Sequence, residues 1–426
     1  MKHVIIGNGV AGMSAANEIR AQDSQCEITV ISRESEHFFS RTALMYEFCG
    51  QLSRKDLEPF ERDHYDRMNF KKVFDEVTTA NFDAQELQLK GGEKIPYDKL
   101  LLACGSVPRP IPWQKGITKG IGHFVTLQDL EWLKLAAANC ELGTKRAIVV
   151  GGGLIGIEAV EVLLHAGIEV HFVIREDWYW PIALNKAESA FVAKHMREHG
   201  CHVHLNSEVK EVKSESGALK GVELSTGEVL ETDLCVVAIG VMPATSWLEE
   251  TDLALSEGFR AIEVNQYLET NIENVYSTGD CANVTWFNGV RRPEQLWYTS
   301  RDQGVAAAHN MIGVKEEYKR GPLYNSAKFF DIEYTTAGLV NFPLEGLSEW
   351  YQEDATRCWS QRIVIQDGAV IGFNMLGSRW DHRVFIKWIE QKRSLEWVLE
   401  HLSEATYDAE FTSKFKLLSS ARRYTL

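Results

Sequence analysis

The sequence predicts an α/β chain with two nucleotide-binding βαβ units and a C-terminal α+β region. Two observations carry this expectation. An apolar strand running into a glycine-rich turn and then a helix opens the chain, and the same pattern returns near residue 146. A distant internal echo of this kind marks two nucleotide sites. From about Pro322 to the end there is no such fingerprint, and strand-like stretches give way to amphipathic helix.

The first copy reads His3-Val4-Ile5-Ile6-Gly7-Asn8-Gly9-Val10-Ala11-Gly12, followed by a helical pattern and a second strand at Glu27–Ile31. The second copy reads Ala147-Ile148-Val149-Val150-Gly151-Gly152-Gly153-Leu154-Ile155-Gly156-Ile157-Glu158, followed by a strand at Glu169–Ile174. Both are GxGxxG in strand–turn–helix context, the Rossmann-like arrangement. The first glycine makes the tight turn, the second admits the backbone to a pyrophosphate, and the third lets helix and strand pack closely. Gly7, Gly9 and Gly12 fill these roles in one copy and Gly151, Gly153 and Gly156 in the other. Val10 and Ala11, like Leu154 and Ile155, begin helices whose free N–H groups face the diphosphate. The first unit's second strand ends in Ser32-Arg33-Glu34, which makes Glu34 the candidate acid for a ribose. In the C-terminal region Gln361–Ile365 and Ala369–Phe373 read as strands. Phe385, Trp388, Ile389, Leu395, Val398, Leu399 and Leu402 suit helices packed on a small sheet.

At 426 residues the chain exceeds one ordinary core, and 45% apolar with 25% charged residues is a globular composition. A net charge of -15 argues against a nucleic-acid partner. The eight cysteines, at 26, 49, 104, 140, 201, 235, 281 and 358, show no CxxC or His/Cys metal spacing, so reduced structural thiols and no metal are expected. No apolar run reaches the length of a membrane span, and the chain starts directly on a strand, so a cytoplasmic protein is expected.

Two further motifs complete a resemblance to the pyridine nucleotide-disulfide oxidoreductase superfamily, the two-dinucleotide-domain flavoprotein reductases. Tyr97-Asp98-Lys99-Leu100-Leu101-Leu102-Ala103-Cys104-Gly105 resembles the strand and "ATG" turn of that superfamily, with Cys104 in place of Thr. Thr270 to Ala282, containing Ser277-Thr278-Gly279-Asp280, resembles its second FAD motif, in which the aspartate binds the ribityl chain. The resemblance implies an FAD-binding domain in two parts, 1–112 and 243–321, an NAD(P)-binding domain at 113–242, and a C-terminal α+β interface domain at 322–426. It also implies that Ala103, Cys104, Gly105, Gly240, Gly279 and Asp280 line cofactor sites.

The segment where disulfide reductases hold their redox cysteine reads Phe38-Phe39-Ser40-Arg41-Thr42-Ala43-Leu44-Met45-Tyr46, and the aligned position is Thr42. Cys49 lies further along and reads as a packed thiol. The pattern is closer to the "RP-x-L" segment of the rubredoxin and ferredoxin reductases. By the resemblance Arg41 and Thr42 contact the cofactor, and Arg41 joins Glu158 and Trp297 in the catalytic set. Glu158 matches a glutamate beside flavin and nicotinamide whose usual lysine partner falls at Tyr46, so that ion pair is not expected. Gln295-Leu296-Trp297 resembles a helix start whose tryptophan lies near the flavin ring. Arg175 matches an arginine that binds the 2′-phosphate of NADPH, while Glu176 would repel it; NADH and NADPH both stay open.

The expected function is an NAD(P)H-dependent reductase with non-covalent FAD, passing hydride from nicotinamide to flavin and electrons on to a small iron–sulfur or rubredoxin-type protein. Arg291, Arg292 and Arg301 supply the nearest cationic cluster for such an acidic partner. Two alternatives remain: a quinone or oxygen reductase, and an apoptosis-inducing-factor-like flavoprotein acting by protein interaction. The resemblance leaves a homodimer open.

Overall fold

Lys2–Ile6 and Arg146–Val150, the two fingerprint strands, each take the middle of a five-stranded parallel sheet in the computed structural model. The structure describes residues 1–114, 116–342, 344–354, 356–407 and 421–425. They cluster as two compact units. The first comprises Met1–Pro110, Val125–Lys134 and Gly240–Arg320, and the second Ile111–Phe124, Leu135–Ile239 and Gly321–Leu426. Of the expected C-terminal domain, residues 408–420 and 426 lie outside the described residues.

In the first unit the sheet order is Val275–Ser277, Lys99–Leu102, Lys2–Ile6, Glu27–Ser32, Phe70–Phe74. In the second it is Ile121–Gly122, Leu234–Val237, Arg146–Val150, Glu169–Val173, Cys201–His204. The two orders correspond strand for strand around the fingerprint. Val4, Ile5, Ile148 and Val149 are buried, as central parallel strands covered on both faces require. In this topology the order reverses beside the fingerprint strand, which places the ligand crevice at the strands' C-terminal ends.

Helix Val10–Gln22 packs against helix Trp297–Met311 so closely that a Cβ on Gly304 would stand 2.3 Å from the Ala11 carbonyl oxygen. That contact brings the late segment around Asp280 and Trp297 to the first fingerprint. In the second unit the C-terminal region forms a six-stranded antiparallel sheet ordered Tyr324–Phe329, Ile332–Gly338, Ala369–Leu376, Trp359–Gln366, Leu347–Asp354, Arg422–Thr425. Helices His382–Glu390 and Leu395–His401 contribute Phe385, Trp388, Leu395 and Val398 to a core with Ile363 and Phe373.

Candidate functional site

The first unit closes its fingerprint turn with backbone alone. Gly7 has φ 109°, and a Cβ there would sit 2.0 Å from the Ala103 carbonyl oxygen, so the turn closes only on glycine. Ala103 N–H donates to Ile6 O at 2.9 Å and keeps this second loop in place. Gly9 is the N-cap of helix Val10–Gln22, with no side-chain cap and nothing within 4 Å of an added Cβ. An uncapped helix start facing open space fits an anionic diphosphate.

Asp280 lies in the 3-10 turn Gly279–Cys281. Its Oδ2 accepts from Ser106 Oγ at 2.7 Å and its Oδ1 from Ser300 Oγ at 3.4 Å. Burial raises its pKa, while Ser106 and the charge of Arg41 oppose the rise. Gly279 N–H donates to Gln303 Oε1 at 2.7 Å, and Thr278 Oγ1 is buried with no partner among the described residues. An orphaned hydroxyl beside a hydroxyl-bonded carboxylate fits a polyhydroxyl ligand. Cys104 and Cys281 share a hydrogen bond, which together with burial pushes the Cys104 thiol well up. Their adjacency could not be read from the sequence, where 176 residues separate them; it follows from the parallel pairing of Lys99–Leu102 with Val275–Ser277.

Glu34 and Arg41 come together as a two-point ion pair, and Glu34 also accepts from Leu127 N–H at 3.1 Å. The Arg41 guanidinium donates to Val125 O at 2.7 Å and lies 4.9 Å from the Phe39 ring centre. Thr42 is exposed, with its hydroxyl 3.2 Å from Ser40 Oγ. Gly240, φ 101°, accepts from Arg109 N–H at 3.1 Å, next to the pairing of Val241–Pro243 with Ser106–Pro108. Gln295 is exposed, Leu296 is the N-cap of helix Trp297–Met311, and Trp297 is 37% exposed, with Arg301 5.7 Å from its ring centre.

The expected cationic cluster is engaged within the unit. Arg291 pairs with Glu263 and donates to Val264 O and Asn283 O, each at 2.9 Å. Arg292 stacks over Trp286 at 4.8 Å, and Arg301 pairs with Asp302 at 2.8 Å.

The second unit repeats the turn. Gly151 has φ 115° and its Cβ would stand 2.3 Å from Ala238 O, while a Cβ on Gly156 would meet Gly151 O at 2.1 Å. Gly153 caps helix Leu154–His165 with open space beside it, and Leu154 and Ile155 form the first turn. Glu158 and Glu161 follow on that helix. Among the described residues no cation pairs with Glu158, and burial, then the charge of Glu161, pushes its pKa up to about 7. Ile174 is fully buried with its side chain under Gly152, so the position at which NADH sites usually place a carboxylate points inward here. Arg175 is 72% exposed and shared between Glu176 at 3.0 Å and Glu208 at 3.9 Å.

Two equivalent strand–glycine turn–helix units, each at the centre of a parallel sheet, fit the class of flavin- and pyridine-nucleotide-dependent oxidoreductases. The chain belongs to the pyridine nucleotide-disulphide oxidoreductase family, which matches residues 1–304. It is an oxidoreductase that uses FAD and NAD(P)H. It is 26% identical over 386 residues to the nitrite reductase [NAD(P)H] of Bacillus subtilis, covering 88% of this chain and 45% of that protein. It is 29% identical over 348 residues to rhodocoxin reductase of Rhodococcus erythropolis, covering 80% of this chain and 78% of the relative. The reductase in the covalent putidaredoxin reductase–putidaredoxin complex superposes with a TM-score of 0.84 at 20% identity, over 96% of this chain and 99% of that one. No helix among the described residues is long and apolar enough to cross a membrane.

Proposed function

We propose that this chain is the reductase of a small ferredoxin- or rubredoxin-type electron carrier. The observation that carries this reading is Thr42, exposed and without sulfur, at the position where a disulfide-reducing relative needs its redox cysteine. The likeness to rhodocoxin reductase supports the choice of acceptor. FAD bound in the first unit supplies two-electron acceptance from a nicotinamide and release of electrons one at a time.

The chain's own groups bind, orient and tune. Residues 1–112 and 243–321 hold FAD in this reading: the Gly9 helix start takes the diphosphate, and Asp280 and Thr278 take hydroxyls. Arg41 places positive charge beside Asp280 and Glu34. Residues 113–242 hold the nicotinamide dinucleotide at Gly153, and residues 322–426 form the interface region. Glu158 titrates close to neutrality and so holds or gives up a proton at its carboxyl oxygens. We place the protein in the cytoplasm.

The engaged arginines at 291 and 301 favour a second reading, reduction of a small molecule such as a quinone or oxygen. One experiment separates the two. The FAD-loaded protein is reduced with NADH or NADPH in a stopped-flow mixer, then mixed with ferredoxins, rubredoxins, a quinone or oxygen. Rapid reoxidation by a redoxin at low salt, slowed by added salt, is expected. Fast turnover with the quinone and none with any redoxin would assign the small-molecule reading instead.

A further inference from the structure

We propose that His195, His199 and Asp331 form a binding site for a divalent transition-metal ion of the zinc type, joining helix Lys186–Glu198 to the Phe329–Ile332 hairpin turn. One ring nitrogen of each histidine and an Asp331 carboxylate oxygen lie within 4.8 Å of one another. His195 Nε2 contacts Asp331 Oδ1 directly, and His199 Nε2 is 3.9 Å from the same oxygen. Ligand atoms about 2.0–2.2 Å from a tetrahedral zinc stand roughly 3.3 Å apart, so only small movements are needed. Asp331 is 72% exposed and can make them.

Four features prepare the site. Residues four apart on a helix share a face, which aims both imidazoles the same way. His199 Nδ1 lies 2.9 Å from the His195 carbonyl oxygen, which can only accept; Nδ1 therefore carries the proton and Nε2 offers its lone pair. His195 Nδ1 lies 3.5 Å from Cys358 Sγ, which can accept a hydrogen bond from Nδ1–H once Nε2 is on the metal. Phe330 N–H donates to Glu161 Oε2 at 3.1 Å, and the Phe330 ring packs on His199 at 4.8 Å, so the turn carrying Asp331 is held in place.

A second cluster, Glu169, His171 and His202, is less suited because Arg146 already donates to Glu169 Oε1 at 2.9 Å. Binding replaces water ligands of the ion with His195 Nε2, His199 Nε2 and an Asp331 oxygen and breaks the His195–Asp331 hydrogen bond; any proton on His195 Nε2 leaves to solvent or moves to Nδ1. The expectation of no metal rests on the absence of CxxC and His/Cys spacings; the His195-x-x-x-His199 spacing points the other way.

The test is calorimetric titration of untagged, chelator-treated, FAD-loaded protein with zinc chloride. His199→Ala and Asp331→Asn are the chosen variants, because both positions reach solvent and tolerate change better than buried His195. One zinc per chain is expected, weakened about tenfold or more in each variant and unchanged in His202→Ala. Zinc should also raise the melting temperature of the parent protein and not that of Asp331→Asn. No zinc binding, or binding that survives in both variants, or loss of binding in His202→Ala, would overturn the assignment.

Discussion

Arg41 and Glu34 meet through two parallel contacts, Nη1–Oε1 at 2.9 Å and Nη2–Oε2 at 2.7 Å. A partly exposed pair of this kind contributes at most ~1 kcal/mol to folding, so in the proposed reading its value lies in holding Arg41 and Glu34 in one geometry for FAD. Arg41→Ala should therefore leave the melting temperature almost unmoved while weakening FAD retention by about tenfold or more, the loss of a charge-assisted contact. Arg41→Lys should restore charge without the fork and recover only part. Fluorescence of released FAD measures both, and unchanged retention in Arg41→Ala would remove this residue from the site.

The two fingerprint turns allow their glycines to be separated by role. Alanine at Gly7 or Gly151 would drive a methyl group into a carbonyl oxygen at 2.0 or 2.3 Å, so both variants should fold poorly. Alanine at Gly9 or Gly153 meets no atom of the described residues within 4 Å. Gly9→Ala should fold yet lose FAD; Gly153→Ala should keep FAD yet bind the nicotinamide dinucleotide weakly. Circular dichroism, flavin content and reduction rate together decide, and a Gly9→Ala protein with full flavin content would contradict the assignment.

Arg175 is shared between two carboxylates, which opposes a 2′-phosphate. Glu176→Gln should free it and shift the kcat/KM ratio toward NADPH several-fold, whereas Arg175→Ala should weaken NADPH more than NADH, by roughly 1.5–3 kcal/mol if the contact is made in full. Equal effects on both dinucleotides in both variants would show that discrimination lies elsewhere.

Glu158 has its pKa raised from 4.5 to about 7. Between these values the folded chain keeps a proton that the unfolded chain releases, so the carboxyl's contribution is full below about pH 4.5 and is lost as pH rises through about 7. The ceiling is ~3 kcal/mol. Glu158→Gln should flatten this part of the stability profile and remove any step near neutrality from the rate of flavin reduction. A step that persists in the variant would assign that titration to another group.

Arg362 is completely buried between Glu188 at 3.0 Å and Glu349 at 2.7 Å. Arg362→Ala leaves two uncompensated carboxylates and should cost ~3–5 kcal/mol in denaturant unfolding. A loss below ~1 kcal/mol would mean the carboxylates are relieved by protonation or water.

The parts legible in the sequence were those with local periodicity. The expected strand Glu27–Ile31 is found at Glu27–Ser32, and Glu169–Ile174 at Glu169–Val173, with Ile174 turned under Gly152. Gln361–Ile365 and Ala369–Phe373 fall inside longer strands, because polar positions such as Gln366 and Asn374 carry no apolar signal. The glycine turns were readable because backbone geometry dictates the residue. The Cys104–Cys281 contact, the Arg362 triad and the His195–Asp331 pair were not, since each joins distant segments that only the sheets and hairpins bring together.

The central claim is that electrons pass from NAD(P)H through the flavin without a protein disulfide. The most direct measurement is an anaerobic reduction of the FAD-loaded protein by NADH or NADPH, with thiols counted in denaturant before and after. No disulfide joins the cysteines among the described residues, so the account predicts complete flavin reduction with an unchanged thiol count. Two thiols appearing only after reduction would contradict it and point first to Cys104 and Cys281.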